Sequence, residues 1–278
     1  MIMRPGASIR NLIKGLIPRR IRPAVITAYR WFRYSKRPRI VSWRYDSEDV
    51  LQCCIAYNRY GGYCVPLELR FGTIAQALFR GKVAEEETIR FLVSGYSGGD
   101  IVHAGAFIGD FLPALSKACD EGGLVWAFEP ARTHYRCSLI TLQLNALTNV
   151  KLFNAALGDF TGEATMLTSD ENGPLSGGSR IVATAGEFDV VETIRMVTID
   201  GIIPADRKVS VVHLDVEGQE KQALVGGIQT IRRCRPLLIL ESVPNDEWMT
   251  RHITPLGYRA VGRIENNTIL VPEGSRAG

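Results

Sequence analysis

Residues 100–110, with the sequence DIVHAGAFIGD, restrict the fold more than any other stretch. Residues 101–104 are mostly apolar, as expected of a strand that is covered on both faces. Gly105 and Gly109 let the backbone turn tightly and leave room for a ligand against it. Residues 111–119 then carry apolar side chains at helical spacing. The stretch therefore predicts a strand, a glycine turn and a helix in succession.

A second apolar strand is predicted at residues 124–128, and it ends in Glu129 and Pro130. Strand, glycine turn, helix, strand and acid is the layout by which an open α/β sheet holds an adenosine nucleoside, because the acid accepts the ribose hydroxyls. The turn reads G-x-x-x-G and lacks the full G-x-G-x-x-G that cradles a pyrophosphate. The missing phosphate loop favours S-adenosylmethionine over a dinucleotide.

Two further apolar strands are predicted to end in acids. Residues 209–214 lead to Asp215, and residues 235–240 lead to Glu241, as the earlier strand leads to Glu129. Ligands in such sheets bind beyond the carboxyl ends of the strands. Acids gathered there are costly unless they bind hydroxyls, an ammonium or a metal, or transfer protons. The three strand ends therefore predict a functional site.

Weaker periodic patterns predict the remaining elements. Helices are expected over residues 133–147 and 219–231, a β-ribbon at 162–168 and a strand at 192–200. The polar loop at residues 169–180 is interpreted as a lid beside the site.

Length and charge indicate one large α/β domain with an appendage. Residues 1–40 contain 11 Lys and Arg and no acid, which leaves 22 basic against 29 acidic residues in the rest. We divide the chain into a basic arm (1–45), a cover segment (46–95) and the main domain (96–278). Confining the basic charge to the arm argues against a nucleic-acid-binding face. Three interpretations of the arm stay open. It contacts an anionic membrane surface or an acidic glycan, it is a solvated tail, or it is a helix packed on a partner subunit, such as that of a homodimer.

The cysteines and histidines predict no metal site of their own. The six cysteines form no C-x-x-C pair, and the four histidines lack zinc-site spacing. We interpret the cysteines as reduced thiols in a cytoplasmic protein. No apolar run approaches the roughly 18–20 residues needed to span a bilayer.

Four segments of the chain match a known family pattern: 101–109, AFEP at 127–130, NAALGD at 154–159 and HLDVEGQE at 213–220. Through them the chain resembles the FkbM family of S-adenosylmethionine-dependent methyltransferases. The resemblance implies a class I methyltransferase fold, a Rossmann-like, seven-stranded, mostly parallel sheet with a C-terminal antiparallel hairpin. Residues 258–262 and 268–271 predict such a hairpin independently. The implied reaction is methyl transfer to a hydroxyl of a sugar, a glycolipid or polysaccharide, or a natural product.

Two positions depart from the family pattern. His103 stands where the family usually has an aspartate that helps to fix the methionine end of the cofactor or the glycine turn, and Phe107 stands where it usually has an asparagine. Histidine can still donate or accept a hydrogen bond. The departures leave two interpretations open, a variant subgroup with a modified pocket and a non-catalytic member.

In the methyltransferase interpretation, Asp215 is the first candidate for orienting or deprotonating the acceptor hydroxyl. His213 shares a strand face with Asp215 if the strand continues that far, and Glu217 and Glu241 are secondary candidates. The glycine turn would line the methionine portion, Glu129 would hold the ribose, and Asn154 and Ala155 would border the adenine. The predicted cofactor-binding residues are His103, Gly105, Ala106, Gly109, Glu129, Pro130, Asn154 and Ala155.

Three alternatives remain at this stage. Asp215 and Glu217 could ligate Mg²⁺, because oxygen ligands suit that ion. A nicotinamide-dependent oxidoreductase could use the same sheet, although the phosphate loop and an obvious hydride-transfer pair are missing. A methyltransferase-like binding module could dock on a membrane or acidic glycan through the basic arm.

Overall fold

The computed structural model describes residues 39–44, 50–170, 173–175, 178–184, 186 and 189–274. The prediction that the basic arm contacts a membrane, a glycan or a second subunit falls mostly on residues outside these ranges. The strands are β1 (Arg39–Arg44), β2 (Val50–Tyr57), β3 (Gly62–Pro66), β4 (Asp100–Ala104), β5 (Val125–Phe128), β6 (Val150–Phe153), β7 (Ala156–Leu157), β8 (Gly162–Asp170), β9 (Gly173–Pro174), β10 (Arg180–Ile181), β11 (Val190–Val197), β12 (Val209–Leu214), β13 (Leu237–Leu240), β14 (Tyr258–Ile264) and β15 (Asn267–Pro272).

The helices are α1 (Thr73–Phe79), α2 (Glu86–Gly95), α3 (Leu112–Ala118), α4 (Arg132–Asn145), α5 (Ile199–Ile202), α6 (Glu220–Gly226), α7 (Ile228–Cys234) and α8 (Asp246–His252). Short 3₁₀ helices occur at Leu67–Leu69 and Thr254–Leu256. Within the described ranges, no helix is both long and apolar enough to span a bilayer.

The central sheet has seven strands in the order β14-β15-β13-β12-β4-β5-β6. Strands β13, β12, β4, β5 and β6 are parallel, and β15 and β14 run antiparallel at one edge. This arrangement confirms the predicted class I fold and its C-terminal hairpin. The chain leaves β4 toward β5 and later returns on the other side of β4 as β12. Such a reversal of direction opens a crevice at the carboxyl ends of the two strands.

The residues of β4 show why this strand lies at the centre of the sheet. All five are buried. Val102 and Ala104 belong to the hydrophobic core on one face, whereas Ile101 belongs to the core on the other face. Alternate side chains thus enter two separate cores, as expected for a parallel sheet that is covered on both sides.

A second sheet has the order β10-β8-β11-β7, and β9 pairs with β8. Strands β8 and β11 are antiparallel, with Ile194 opposite Ala164, while β7 runs parallel to β11. The ribbon and the strand expected in this region are therefore present. Since β7 follows β6 after two residues, this sheet stands beside the end of the central sheet and supplies Met166 to the same crevice.

The cover segment forms the antiparallel sheet β1-β2-β3, which packs against helix α4. The backbone N–H of Cys64 donates to Thr141 Oγ1 at 3.1 Å, and Asn145 bonds to both backbone polar groups of Gly62. Strand β1 pairs with β2 although residues 39–44 fall in the segment that we assigned to the arm. The cover sheet thus begins before residue 46. All six cysteines are free thiols.

The helix predicted over residues 219–231 is instead two helices, α6 and α7, separated by Gly227. The backbone of Gly227 has φ −115° and ψ 9°, which is outside the helical range. A Cβ at the preceding Gly226 would lie 1.9 Å from the carbonyl oxygen of Gly158. Gly226 therefore allows the chain to pass directly against the loop after β7, a contact that apolar periodicity does not reveal.

Candidate active site

A cleft of about 970 Å³, open solvent included, lies at the carboxyl ends of β4, β5, β12 and β13. The glycine turn after β4 and the segment after β5 form one side, and acids form the opposite side. Side chains from the cover segment and from the second sheet complete the walls. The lining residues are Ile74, Glu85, Ala104, Gly105, Phe107, Phe128, Glu129, Pro130, His134, Ala155, Ala156, Leu157, Met166, Ser179, Arg180, Ile181, Asp215, Val216, Glu217, Gln219 and Glu241.

Gly105 is required here by the approach of two strand ends. Its φ is +82°, and a Cβ at this position would lie 1.9 Å from the carbonyl oxygen of Asp215. The sequence prediction was that the glycine leaves room for a ligand. The position of its missing side chain is instead taken by the chain after β12. Gly105 thereby brings Asp215 next to the glycine turn.

Glu129 is held by backbone donors on both carboxylate oxygens. The N–H of Phe107 donates to Oε2 at 2.7 Å, and the N–H of Ala131 donates to Oε1 at 2.9 Å. The Asn154 side chain donates to the carbonyl oxygens of Glu129 and Pro130 at 2.9 and 2.8 Å. Each carboxylate oxygen can accept a further hydrogen bond. Glu129 is thus fixed in position and still able to accept two hydroxyl protons.

Phe107 adopts a backbone conformation that is unfavourable for its side chain. Its φ is +47°, a left-handed conformation that costs about 1–2 kcal/mol for residues other than glycine and asparagine. The residue is held there by its bond to Glu129 and by Ser138 Oγ, which donates to its carbonyl oxygen at 2.7 Å. Its ring contacts the imidazole of His134 edge-on, with 4.6 Å between centroids. The aromatic pair lies beside Glu129 on the cleft wall.

The wall beyond Glu129 is apolar. It consists of Phe128 from β5, Leu157 from β7, Met166 from β8 and Ile181 from β10, with Ala155 at its base. A flat, apolar ring such as adenine suits a wall of this composition.

The opposite side of the cleft brings carboxylates together. Asp215, Glu217 and Glu241 each place a carboxylate oxygen within 4.8 Å of the others. Burial and the neighbouring Glu241, to which Asp215 is hydrogen-bonded, raise the pKa of Asp215 to about 9. Burial followed by the charge of Glu241 raises the pKa of Glu217 as well. Unlike Glu129, these acids are surrounded mainly by other acids.

Glu85 of the cover segment is a fourth acid in the lining. Burial and the charges of Glu265 and Glu241 raise the pKa of its carboxyl. Asn267 Nδ2 donates to Glu85 Oε2 at 3.3 Å. The cover segment therefore contributes directly to the acidic side of the cleft.

Carboxylate oxygens at this spacing are ligands that suit Mg²⁺. Groups of acids are nevertheless common on proteins without a bound ion. The earlier alternative of Mg²⁺ at Asp215 and Glu217 therefore stays a prediction.

His103 and His213 form a buried pair below the cleft. Their Nδ1 atoms are 2.9 Å apart, and their rings stack at 5.0 Å and 5°. Phe111 stacks on both rings at 5.2 and 5.4 Å. Burial and the proximity of His213 hold the pKa of His103 well below its usual value, and burial lowers the pKa of His213 to about 4. Both imidazoles are therefore neutral at physiological pH.

The hydrogen-bond partners fix the tautomers of this pair. Because ionised Glu85 only accepts, the Asn267 amide nitrogen faces it, and Asn267 Oδ1 accepts from His213 Nε2 at 3.3 Å. His213 Nδ1 then accepts from Nδ1 of His103. His103 Nε2 remains as an acceptor without a hydrogen-bond partner among the described residues. These hydrogen bonds connect His103 through His213 and Asn267 to Glu85 in the cleft.

The structure brings most of the predicted site residues to one cleft. Gly105, Glu129, Pro130 and Ala155 line it on the predicted cofactor side, and Asp215, Glu217 and Glu241 line it on the predicted acceptor side. The remaining five predicted residues are not part of the lining, and four of them are buried whereas Asn154 is exposed. They are His103, Ala106, Gly109, Asn154 and His213.

Sequence reasoning missed Glu85 and His134, and it noted Phe107 only as a departure. Glu85 belongs to a segment without clear periodicity, so no signal in the sequence placed it here. His134 is in the first turn of the helix that follows Glu129, and this position next to a strand-end acid was a usable signal. Ser179 and Arg180, from the loop interpreted as a lid, and the adjoining Ile181 also line the cleft.

A family model for the methyltransferase FkbM domain matches residues 103–259, which is more than half of the chain. The chain belongs to the FkbM family of S-adenosylmethionine-dependent methyltransferases. The match begins at His103 and includes the glycine turn, Glu129, Asp215 and Glu241. The match confirms the predicted family, and it favours a methyltransferase over the nicotinamide-dependent oxidoreductase. The FkbM match does not include Glu85 or the rest of the cover segment.

Solved structures with similarity to this FkbM chain include a methyltransferase FkbM from Methylobacillus flagellatus KT, at 18% identity and a TM-score of 0.45, covering 71% of this chain. The chain spans only 52% of the length of that structure. M. jannaschii TYW2 in complex with AdoMet aligns at 14% identity and a TM-score of 0.42, covering 84% and 90% of the two chains. Magnesium protoporphyrin IX methyltransferase (ChlM) from Synechocystis PCC 6803 aligns at 13% identity and a TM-score of 0.36, covering 68% and 77%. A search among curated proteins finds no match.

The residues of the cleft fit the cofactor of the FkbM family. Glu129 offers two fixed carboxylate oxygens for a ribose diol, and the apolar wall from Phe128 to Met166 suits adenine. The turn at Gly105 lies between these groups and Asp215. A ligand that carries a nucleoside at one end and a reactive group at the other would extend from Glu129 toward the acids.

Proposed function

We propose that this protein transfers a methyl group from S-adenosylmethionine to a hydroxyl of a sugar, a glycolipid or polysaccharide, or a natural product. One observation carries the proposal: a fixed carboxylate, Glu129, and a group of facing carboxylates around Asp215 line the same cleft on opposite sides of the glycine turn. The first suits a nucleoside, and the second suits an acceptor that loses a proton.

On the cofactor side, Glu129 would accept the ribose hydroxyls, and Phe128, Leu157 and Met166 would contact the adenine. Gly105 would face the methionine portion. When bound, S-adenosylmethionine supplies an activated methyl group on a sulfonium. The protein has to hold the two reactants in line and exclude competing water, because such a displacement depends mainly on position.

On the acceptor side, Asp215 would orient the hydroxyl and accept its proton. Asp215 and Glu241 place carboxylate oxygens within 4.8 Å of each other, and two carboxyls this close favour holding one proton between them. The carboxylate oxygens that this proton leaves free can accept another from a hydroxyl. A carboxyl whose pKa is raised to about 9 is mostly protonated at neutral pH, and its ionised fraction is a stronger base than an ordinary carboxylate.

The charge of the cleft favours a neutral acceptor rich in hydroxyls. Those of the four acids Glu85, Asp215, Glu217 and Glu241 that are ionised would repel a phosphate or carboxylate near the reacting position. Arg180 is near Glu217 and offsets part of this charge. A sugar can donate its hydroxyl protons to several carboxylates at once, which supports that acceptor class over a nucleic acid.

The departures at His103 and Phe107 were the reason to consider a non-catalytic member. His103 is hydrogen-bonded to His213 through their Nδ1 atoms, and the backbone N–H of Phe107 donates to the carboxylate of Glu129. Both departures are thus accommodated without removing Glu129 or Asp215 from the cleft, which favours an active enzyme. Cytoplasmic location, membrane association and a homodimer stay predictions.

The test is an acceptor screen with the full chain and S-adenosylmethionine. The panel contains hydroxyl-rich sugars, glycolipids and polyketide-type alcohols, with amine and carboxylate analogues of each. We expect release of S-adenosylhomocysteine and a methyl ether on a hydroxyl acceptor. Methylation restricted to nitrogen or to carboxylates would contradict the proposed acceptor. Failure to bind S-adenosylmethionine or S-adenosylhomocysteine would favour the docking module.

A further inference from the structure

His134 lies on the cleft wall beside Glu129 and has no assigned role. Its imidazole is largely buried, with 12% of the side chain exposed, and its Nδ1 is 3.7 Å from Glu129 Oε1. This distance exceeds that of a hydrogen bond. The ring is therefore close to the carboxylate without using it as a partner, and it lines the same cleft.

The imidazole of His134 is held in place by Phe107, which belongs to the glycine turn after β4. The ring of Phe107 packs edge-on against it at 4.6 Å and an interplanar angle of 65°. Phe107 is fixed in turn by Glu129 and by Ser138, which follows His134 by one turn on the same face of α4. Phe107 thus contacts both Glu129 and His134, and the three residues restrain one another.

A ribose diol needs both acceptors and donors. Its two hydroxyl protons can go to the oxygens of Glu129, but Glu129 cannot donate to the hydroxyl oxygens. The side-chain donors of the lining are His134, Ser179, Arg180 and Gln219. Arg180 lies near Glu217 on the opposite side, whereas His134 adjoins Glu129. The imidazole is therefore placed to donate to the same diol.

We infer that His134 is a second ribose-binding residue, which donates an imidazole N–H to a hydroxyl whose proton Glu129 accepts, and that Phe107 positions its ring. The inference rests on the proposed use of an adenosyl cofactor. This role accounts for an aromatic residue at position 107 despite its unfavourable backbone conformation, because an asparagine side chain there could not pack edge-on against His134.

The test is calorimetric titration with S-adenosylhomocysteine and with its 2′-deoxy and 3′-deoxy analogues. The His134→Phe variant keeps an aromatic ring against Phe107 and removes the donor. The matched control is His252→Phe, because His252 also stacks on an aromatic ring, Trp248, but lies outside the cleft lining. Thermal unfolding of each variant checks that the fold is intact.

We expect His134→Phe to weaken binding of S-adenosylhomocysteine by about 2- to 12-fold, the range for one neutral hydrogen bond. The loss should vanish for the analogue that lacks the contacted hydroxyl, and His252→Phe should bind like the wild type. The Phe107→Asn variant should also fold, because asparagine tolerates the left-handed backbone of this turn. Its affinity for S-adenosylhomocysteine should fall by less, and the decrease should depend on the same hydroxyl.

Unchanged binding by His134→Phe would overturn the inference while leaving the proposed function in place. An equal loss for all three ligands would also overturn it, because a structural disturbance does not depend on one hydroxyl. If the wild type binds none of the ligands, the proposed function itself fails, and this result is distinct from the other two.

Discussion

The two sides of the cleft hold their carboxylates in opposite ways. Glu129 receives a backbone N–H on each oxygen, so its charge is stabilised before any ligand arrives. Asp215 instead faces Glu241, Glu217 and Glu85, and burial among these charges raises its pKa to about 9. The first arrangement suits a ligand that is always bound in the same way. The second suits proton transfer, for which a shifted pKa is an advantage.

The two sides also differ in their origin along the chain. Glu129 and its backbone donors come from the strand-turn-helix units that the family model matches. The acidic side collects the ends of β12 and β13 and adds Glu85 from the cover segment, which lies outside the match. Glu129 and its donors thus lie within the matched residues, as do Asp215, Glu217 and Glu241, whereas Glu85 lies outside them.

The largest effect is expected from Asp215→Asn on methyl transfer. Removing the proton acceptor should lower the rate by about 10²- to 10⁴-fold, the usual contribution of a general base. Binding of S-adenosylhomocysteine should change by less than about 3-fold, because Glu129 stays intact. Rates with an acceptor from the screen and calorimetric titration measure the two quantities. Glu163→Gln, an exposed acid outside the cleft, is the control. A rate within a few fold of the wild type would remove Asp215 from the mechanism.

The same Asp215→Asn variant should be more stable than the wild type at alkaline pH. The pKa of Asp215 is raised from 3.8 to about 9 on folding, so between these values the folded state holds a proton that the unfolded chain has released. The contribution to stability is complete below the unfolded pKa and is lost as the pH rises toward 9. We expect a gain of about 1–2 kcal/mol in the free energy of unfolding at pH 8.

Urea unfolding at pH 5 and pH 8 measures this difference. The gain should shrink at pH 5, and Glu163→Gln should show no such dependence on pH. A variant that is less stable than the wild type at pH 8 would contradict the electrostatic account of the acidic side.

A smaller effect is expected from Glu85→Gln. The pKa of Glu85 is raised by burial and by Glu265 and Glu241, so ionisation of this group also costs stability as the pH rises. Glutamine can still accept from Asn267 while carrying no charge. We expect Tm to rise by about 1–2 °C at pH 8, which corresponds to roughly 0.5 kcal/mol, and to change little at pH 5. A lower Tm at pH 8 would show that the Asn267 contact requires a carboxylate.

Much of the fold and half of the site followed from the sequence for a common reason. A buried parallel strand is a continuous apolar run, and its carboxyl end is marked by the first polar residues. Glu129, Asp215 and Glu241 were therefore found without a structure. Helix α4 and the C-terminal hairpin were found because their apolar periodicities are regular.

The parts that the sequence did not reveal depend on contacts between distant segments. The glycine turn gave no sign that Asp215 would pack against Gly105, and the 219–231 pattern concealed the contact of Gly226 with Gly158. His103 was assigned to the cofactor because it stands at the family's aspartate position, and His213 to catalysis because it shares a strand face with Asp215. The two side chains pair with each other across β4 and β12. Such pairings depend on the order of strands in the sheet, which local patterns do not specify.

The most direct test of the division between the two sides is calorimetric titration of S-adenosylhomocysteine into three proteins: the wild type, Glu129→Ala and Asp215→Asn. We predict that Glu129→Ala weakens binding by about 30- to 100-fold, or about 2–3 kcal/mol for bonds to a charged group. Asp215→Asn should bind like the wild type. Thermal unfolding confirms that Glu129→Ala is folded, since the substitution frees the N–H groups of Phe107 and Ala131. Equal binding by the wild type and Glu129→Ala, or a loss confined to Asp215→Asn, would contradict the account.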